Sequence, residues 1–131
     1  RRRNYLILRL DAFISDGEAT YDPTILTIEH VLPQTVDNES EWAQWWPVAE
    51  ERKIWVHRLA NLVPLNKRRN SSARNFDFDK KKNAYFLGRK GVSSYALTTQ
   101  VIGYAQWKPE DLPKRQMELM GILADNWRLG N

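Results

Sequence analysis

The segment from Ile28 to Gln34 (IEHVLPQ) places an acid directly before a histidine, at the end of an apolar run that Pro33 closes. An imidazole has an unperturbed pKa of ~6.5, so it can take a proton from water near neutral pH. A carboxylate is a hard oxygen ligand of the kind that Mg²⁺ or Mn²⁺ prefers. Glu29 and His30 are therefore candidates for metal-assisted hydrolysis, although a surface acid beside a structural histidine has the same sequence.

A second apolar segment, residues 59–65, carries Asn61 and runs into a polar stretch that contains Asn70. An amide within an apolar run needs a hydrogen-bonding partner, which favours a site role for Asn61 over a plain turn. Asn70 offers an amide oxygen to a cation, and a helix cap or a turn is its alternative role. His57 is the only other histidine, and we interpret it as a structural residue of the preceding helix.

A basic segment follows directly. Residues 67–90 hold nine Lys and Arg against two Asp, a local balance of +7 in a chain whose net charge is +4. Such a concentration is typical of a surface that faces a polyanion, and a solvated helix face is the alternative. The residues that we predict to contact DNA phosphates as a group are Lys67, Arg68, Arg69, Arg74, Lys80, Lys81 and Lys82.

Composition predicts one domain over residues 1–131, with one core. Hydrophobic residues make up 42% of the chain, six of them tryptophans, and charged residues make up 27%, which is typical of a globular protein. No apolar run approaches the ~18–20 residues that cross a bilayer, so we expect no membrane association. Cysteine is absent, which excludes disulfides and thiolate zinc sites and favours a location in a reducing cytoplasm. The start without Met suggests a domain cut from the C-terminal part of a larger protein.

Periodicity predicts an α+β, mostly helical fold. Two strands and a helix form a ββα unit with a helical insert in its hairpin, and N- and C-terminal helices pack against it. The predicted elements are a helix over 3–15, a strand over 24–31, two tryptophan-rich helices over 40–46 and 48–57, a strand over 59–65, an amphipathic helix over 77–87, a short helix or extended piece within 93–104, and a helix over 109–127. We expect the last helix to direct these residues into the core: Leu112, Met117, Met120, Leu123, Ala124 and Trp127.

The two site segments resemble the HNH, or His-Me finger, nucleases, in which a ββα unit holds one divalent metal. The step from Asn61 to Asn70 matches that in the HNH domains of CRISPR effector nucleases, whose first motif also ends His-x-x-Pro-Gln. The resemblance implies that His30 is the general base and that Asn61 positions it. It implies Glu29 and Asn70 as metal ligands, with Asn66 as the alternative to Asn70.

A closer resemblance is to the nuclease domain of GmrSD-type modification-dependent restriction enzymes, and it extends from about Tyr5 to Trp127. Ala60 departs from it, because these domains often have Gly there. Four blocks carry the resemblance: residues 28–34, residues 59–65, the group Asn70, Ser71, Asn75, Phe76, Lys81 and Tyr85, and residues 107–116 with Asn126 and Trp127.

This resemblance implies a DNA endonuclease or nickase domain of an anti-phage restriction system. It implies Mg²⁺ (or Mn²⁺) as cofactor, 5′-phosphate and 3′-hydroxyl products, and a nucleotide-hydrolysing, ParB-like domain on the same or a partner chain. A catalytically inactive DNA-binding module on the same fold is the alternative function. A protein-interaction domain with a tryptophan-rich surface is a third hypothesis. Because neighbouring strand residues point to opposite faces, Glu29 and His30 can share one site only if the strand ends or twists there.

Overall fold

The computed structural model describes residues 2–15, 26–66, 75–86 and 95–130. Within these ranges the fold is α+β and mostly helical, as predicted, and none of the helices there is long and apolar enough to span a membrane. A 3-10 turn, Leu59–Asn61, leads directly into the second strand. The elements are α1 (Arg2–Ile14), β1 (Leu26–His30), α2 (Glu41–Trp45), α3 (Ala49–Trp55), β2 (Leu62–Asn66), α4 (Phe78–Phe86), α5 (Ala96–Ile102) and α6 (Leu112–Gly130).

The two strands form an antiparallel pair in which His30 lies opposite Leu62 and Glu29 lies opposite Val63. Pro64 lies inside β2, opposite Ile28. Both strands of a two-stranded sheet are edge strands, and an edge strand tolerates a proline because its N–H need not bond to a neighbouring strand. The helices α2 and α3 lie between the strands in the chain and α4 follows β2, which is the predicted order of a ββα unit with a helical insert.

Tryptophan indoles attach the insert to the rest of the core. Trp42 and Trp46 are fully buried, so both belong to the core. The Trp42 Nε1 atom donates to the carbonyl of Phe76, and Trp46 Nε1 donates to the carbonyl of Trp107, both at 2.8 Å. Burying an indole is favourable only when its N–H finds an acceptor, so these two bonds fix where α2 packs.

The buried face of α6 differs from the predicted one. Leu112, Leu119 and Leu123 are buried, whereas Met117 is 77% exposed and Met120 is 48% exposed. The prediction that both methionines face the core is therefore wrong, as it is for Ala124, which is also exposed. The side chain of Trp127 lies outside the described residues.

Two polar side chains of α6 explain the difference. Arg115 is buried and Gln116 is half-buried, and they lie on the same helical face as Leu112 and Leu119. Both bond to the backbone of Ala60: the Ala60 N–H donates to Gln116 Oε1 at 2.7 Å, and Arg115 Nε donates to the Ala60 carbonyl at 3.0 Å. Hydropathy does not reveal such hydrogen-bonding partners. A prediction based on it therefore placed the methionines, rather than Arg115 and Gln116, on the buried face of α6.

We expect Leu119→Ala to lower the free energy of unfolding by about 2–5 kcal/mol, because it removes apolar volume from the core. Met117→Ala, two residues away on the same helix, should change it by less than ~0.5 kcal/mol, because its side chain is exposed. Urea denaturation followed by circular dichroism measures both. Equal destabilisation by the two substitutions would contradict this orientation of α6.

Candidate active site around His30

His30 lies at the end of β1 with 9% of its surface exposed. Its Nε2 atom is 3.0 Å from Nδ1 of His57, and the two rings are 5.0 Å apart and nearly perpendicular. On the other side of the ring, Nε2 of Gln34 lies 3.4 Å from His30 Nδ1. His57 follows α3 and is exposed, so the pair opens to solvent on its side. Sequence spacing gave no sign of this contact, and His57 was interpreted as structural.

The surroundings of His30 favour its neutral form. Burial, together with smaller electrostatic effects of His57, Arg3 and Lys81, lowers the pKa of this imidazole to about 4. At neutral pH the ring therefore carries a free lone pair, which is the state that accepts a proton.

The side chain of Asn61 is fully buried and uses its full hydrogen-bonding capacity. Its Nδ2 group donates to the carbonyls of Leu32 and Val56, at 3.0 and 2.9 Å. Its Oδ1 atom accepts from the Leu32 N–H at 2.7 Å and from Trp107 Nε1 at 2.9 Å. The amide that the sequence predicted to need a partner thus has four.

These bonds show how Asn61 acts on the site. None of the four reaches an imidazole. Leu32 lies two residues after His30, and Val56 directly precedes His57, so one side chain holds the two backbone segments that carry the two rings. The Asn61 carbonyl also accepts from the N–H of the residue that follows His30, at 3.0 Å. Asn61 therefore fixes the separation of the histidines through the main chain.

The Glu29 side chain points away from the His30 ring, toward α4. It is 4% exposed, and its Oε2 atom accepts from Lys81 Nζ at 2.9 Å and from the Tyr85 hydroxyl at 2.7 Å. The Lys81 ammonium also donates to the His30 carbonyl at 2.8 Å. Glu29 thus contacts α4 while the His30 ring contacts His57, as the alternation of side chains along a strand requires.

The predicted metal site is not assembled among the described residues. Burial raises the pKa of the Glu29 carboxyl, and it lowers the pKa of the Lys81 ammonium. A cation at Glu29 would meet that ammonium at close range. No group of three or more His, Asp or Glu side chains in the described ranges is placed to bind a metal. Asn70 lies outside these ranges, and Asn66 ends β2 half-buried.

Of the predicted DNA contacts, three lie within the described residues. Lys81 is fully buried, so its ammonium does not reach a phosphate, and it is removed from the predicted set. Lys80 is exposed, with its ammonium 4.3 Å from the centre of the Phe76 ring. Lys82 donates to the carbonyl of Tyr104 at 2.7 Å. The others lie outside the described residues: Lys67, Arg68, Arg69 and Arg74.

Comparison with known proteins decides the family. The family model described as GmrSD restriction endonucleases, C-terminal domain, matches residues 1–122. The chain belongs to this family. No curated protein and no solved structure matches the chain. The match confirms the resemblance to GmrSD-type enzymes that the sequence indicated.

We expect Lys81→Met to destabilise this GmrSD-family domain by roughly 3 kcal/mol or more, because it leaves the Glu29 carboxylate buried without its counter-charge. Lys80→Met, at the neighbouring exposed position, should cost less than ~1 kcal/mol. Chemical denaturation at neutral pH compares the two variants. If both substitutions had the same small effect, the buried pair would not contribute to stability.

The lowered pKa of His30 also predicts a pH dependence of stability. Below pH 6.5 the unfolded chain binds a proton at residue 30, whereas the folded chain binds it only near pH 4. Folding is therefore opposed increasingly as the pH falls through this window. Between pH 6.5 and 4 the wild-type chain should lose on the order of 1–3 kcal/mol more unfolding free energy than His30→Asn does. If the unfolding free energies of the two proteins changed in parallel with pH, the lowered pKa of His30 would be contradicted.

Proposed function

We propose that this domain hydrolyses DNA phosphodiester bonds, as an endonuclease or nickase, with His30 as the general base. The observation that supports it most is the neutral, nearly buried imidazole of His30. The Asn61 amide holds the backbone beside it in place. The chain also belongs to the GmrSD restriction endonuclease family. A ring kept neutral at physiological pH and fixed by its backbone meets two requirements of a general base, the correct protonation state and a set position.

In the proposed reaction a water oxygen attacks the phosphorus while His30 takes the proton of that water. The bond from phosphorus to the 3′ oxygen breaks, and the leaving oxygen receives a proton from solvent. The products are a 5′-phosphate and a 3′-hydroxyl. The backbone bonds around His30 keep the ring still while charge moves, so that little reorganisation is needed at the moment of transfer.

A divalent metal, Mg²⁺ or Mn²⁺, belongs to the proposal through the family resemblance. Glu29 and Asn70 are the proposed ligands, with Asn66 as the alternative to Asn70. Such an ion stabilises the negative charge that develops on phosphate oxygens. An ion bound at Glu29 would lie close to the Lys81 ammonium, which is 2.9 Å from Oε2 of the same carboxylate.

DNA is the proposed substrate, and Lys80 and Lys82 are the proposed phosphate contacts among the described residues. Lys80 is exposed, whereas the Lys82 ammonium would have to leave its bond to the Tyr104 carbonyl. The residues proposed to extend this surface are Lys67, Arg68, Arg69 and Arg74. A nucleotide-hydrolysing, ParB-like domain on the same or a partner chain, and a cytoplasmic location, complete the proposal.

A plasmid-nicking assay with Mg²⁺ or Mn²⁺ tests it. We expect the wild-type chain to convert supercoiled plasmid to nicked or linear forms. His30→Ala should reduce the rate by about 10²–10⁴-fold, which is the usual contribution of a general base. Equal cleavage by both proteins would remove His30 from the reaction, and cleavage that persists in EDTA would remove the metal.

Glu29→Gln separates the two roles of Glu29. If Glu29 binds the metal, the substitution should raise the Mg²⁺ concentration needed for half-maximal rate. If it only pairs with Lys81, the metal dependence should stay unchanged and the loss should lie in stability. Salt-sensitive DNA binding without cleavage under either metal would favour the inactive binding module instead.

A further inference from the structure

An exposed arginine extends the contact between the two histidines. Nη1 of Arg3, on α1, lies 3.5 Å from Nδ1 of His57, the same atom that lies 3.0 Å from Nε2 of His30. Three elements thus converge here: α1, the segment after α3, and the end of β1. We infer that Arg3 and His57 are positioning residues that fix His30 in one tautomer and leave its Nδ1 atom as the basic nitrogen. The catalytic consequence rests on the proposed function, whereas the tautomer itself does not.

The hydrogen-bonding roles follow from the chemistry of the three groups. A guanidinium has donors and no acceptor, so the contact of 3.5 Å with Arg3 favours the tautomer in which His57 Nδ1 offers its lone pair. A nitrogen that offers a lone pair cannot donate to His30. At 3.0 Å the bond therefore requires that His30 Nε2 carry the hydrogen. A neutral imidazole has a single N–H, which places the free lone pair of His30 on Nδ1.

A contact on the opposite side of the ring supports the same assignment. The side-chain amide nitrogen of Gln34 lies 3.4 Å from His30 Nδ1, and an amide nitrogen only donates. Nδ1 is therefore an acceptor in this contact as well. Gln34 is exposed and its bond is long, so a water molecule can take its place beside Nδ1.

The other tautomer is disfavoured by Arg3. It would place a hydrogen on His57 Nδ1, directed at His30 and facing the guanidinium, so that two donors would meet. The Asn61 amide prevents the rings from moving apart to avoid this, because it holds the backbone on both sides. Arg3 thus selects the tautomer, and His57 transmits the selection to His30.

Nitrogen-15 NMR of the imidazoles tests the inference at a fixed pH near neutrality, because protonated and unprotonated ring nitrogens have well-separated shifts. In the wild-type chain we expect His30 to show a protonated Nε2 and an unprotonated Nδ1. In His57→Ala the His30 shifts should move toward the average of the two tautomers. In His57→Asn they should return toward wild type, because the Asn Oδ1 atom lies near the position of His Nδ1 and accepts the same bond.

Arg3→Met and Arg58→Met form a matched pair of exposed variants. The guanidinium of Arg58 lies 4.6 Å from the Trp55 ring, so it serves as the control. Arg3→Met should shift the His30 tautomer toward the average, and Arg58→Met should leave it unchanged. These surface changes keep the test decisive if His57→Ala does not fold.

Kinetics add a second measurement. If the domain cleaves DNA, His57→Ala should lower kcat roughly 10-fold or more with little change in KM, and His57→Asn should recover most of kcat. A wild-type His30 protonated on Nδ1, or a tautomer that is the same in all these variants, would overturn the inference. Absence of cleavage with the expected tautomer would overturn the proposed function alone.

Discussion

The structure around the site depends on one side-chain amide. Asn61 is buried at a turn and joins the backbone after His30 to the backbone before His57. An unpartnered amide at this depth would cost about 1–3 kcal/mol, so its four partners are a condition of folding as well as of site geometry. Any rearrangement that separates the two histidine segments must break at least one of these bonds. The same hydrogen bonds therefore stabilise the fold and set the distance between the two imidazole rings.

Other features of the chain support this amide. Arg115 and Gln116 bond to the backbone of Ala60, directly before it, and Trp107 donates to its oxygen. Trp46 in turn donates to the Trp107 carbonyl. The tryptophan-rich insert and the C-terminal helix therefore meet at the same turn.

The sequence predicted those parts of the molecule that local patterns determine. Helix periodicity, the β-branched run before His30 and the polar Asn61 in an apolar run each report on one segment and its immediate needs. Burial of Lys81 was not predictable in this way. Three consecutive lysines indicate a basic helix face, and only the three-dimensional position of the Glu29 carboxylate determines which of them turns inward. The same holds for His57, whose partner lies on a distant segment, and for Arg115, whose acceptor is a backbone carbonyl.

The Lys81 ammonium shows what strand alternation does at this site. It binds the Glu29 carboxylate and the His30 carbonyl together, so it fixes the end of β1 while the two side chains diverge. Because the carboxylate faces α4, the imidazole is free to face His57 and the solvent. An ion bound at Glu29 would lie close to the Lys81 ammonium, which also bonds to the backbone of His30. The Glu29 carboxylate and the backbone of His30 are therefore coupled through a single lysine.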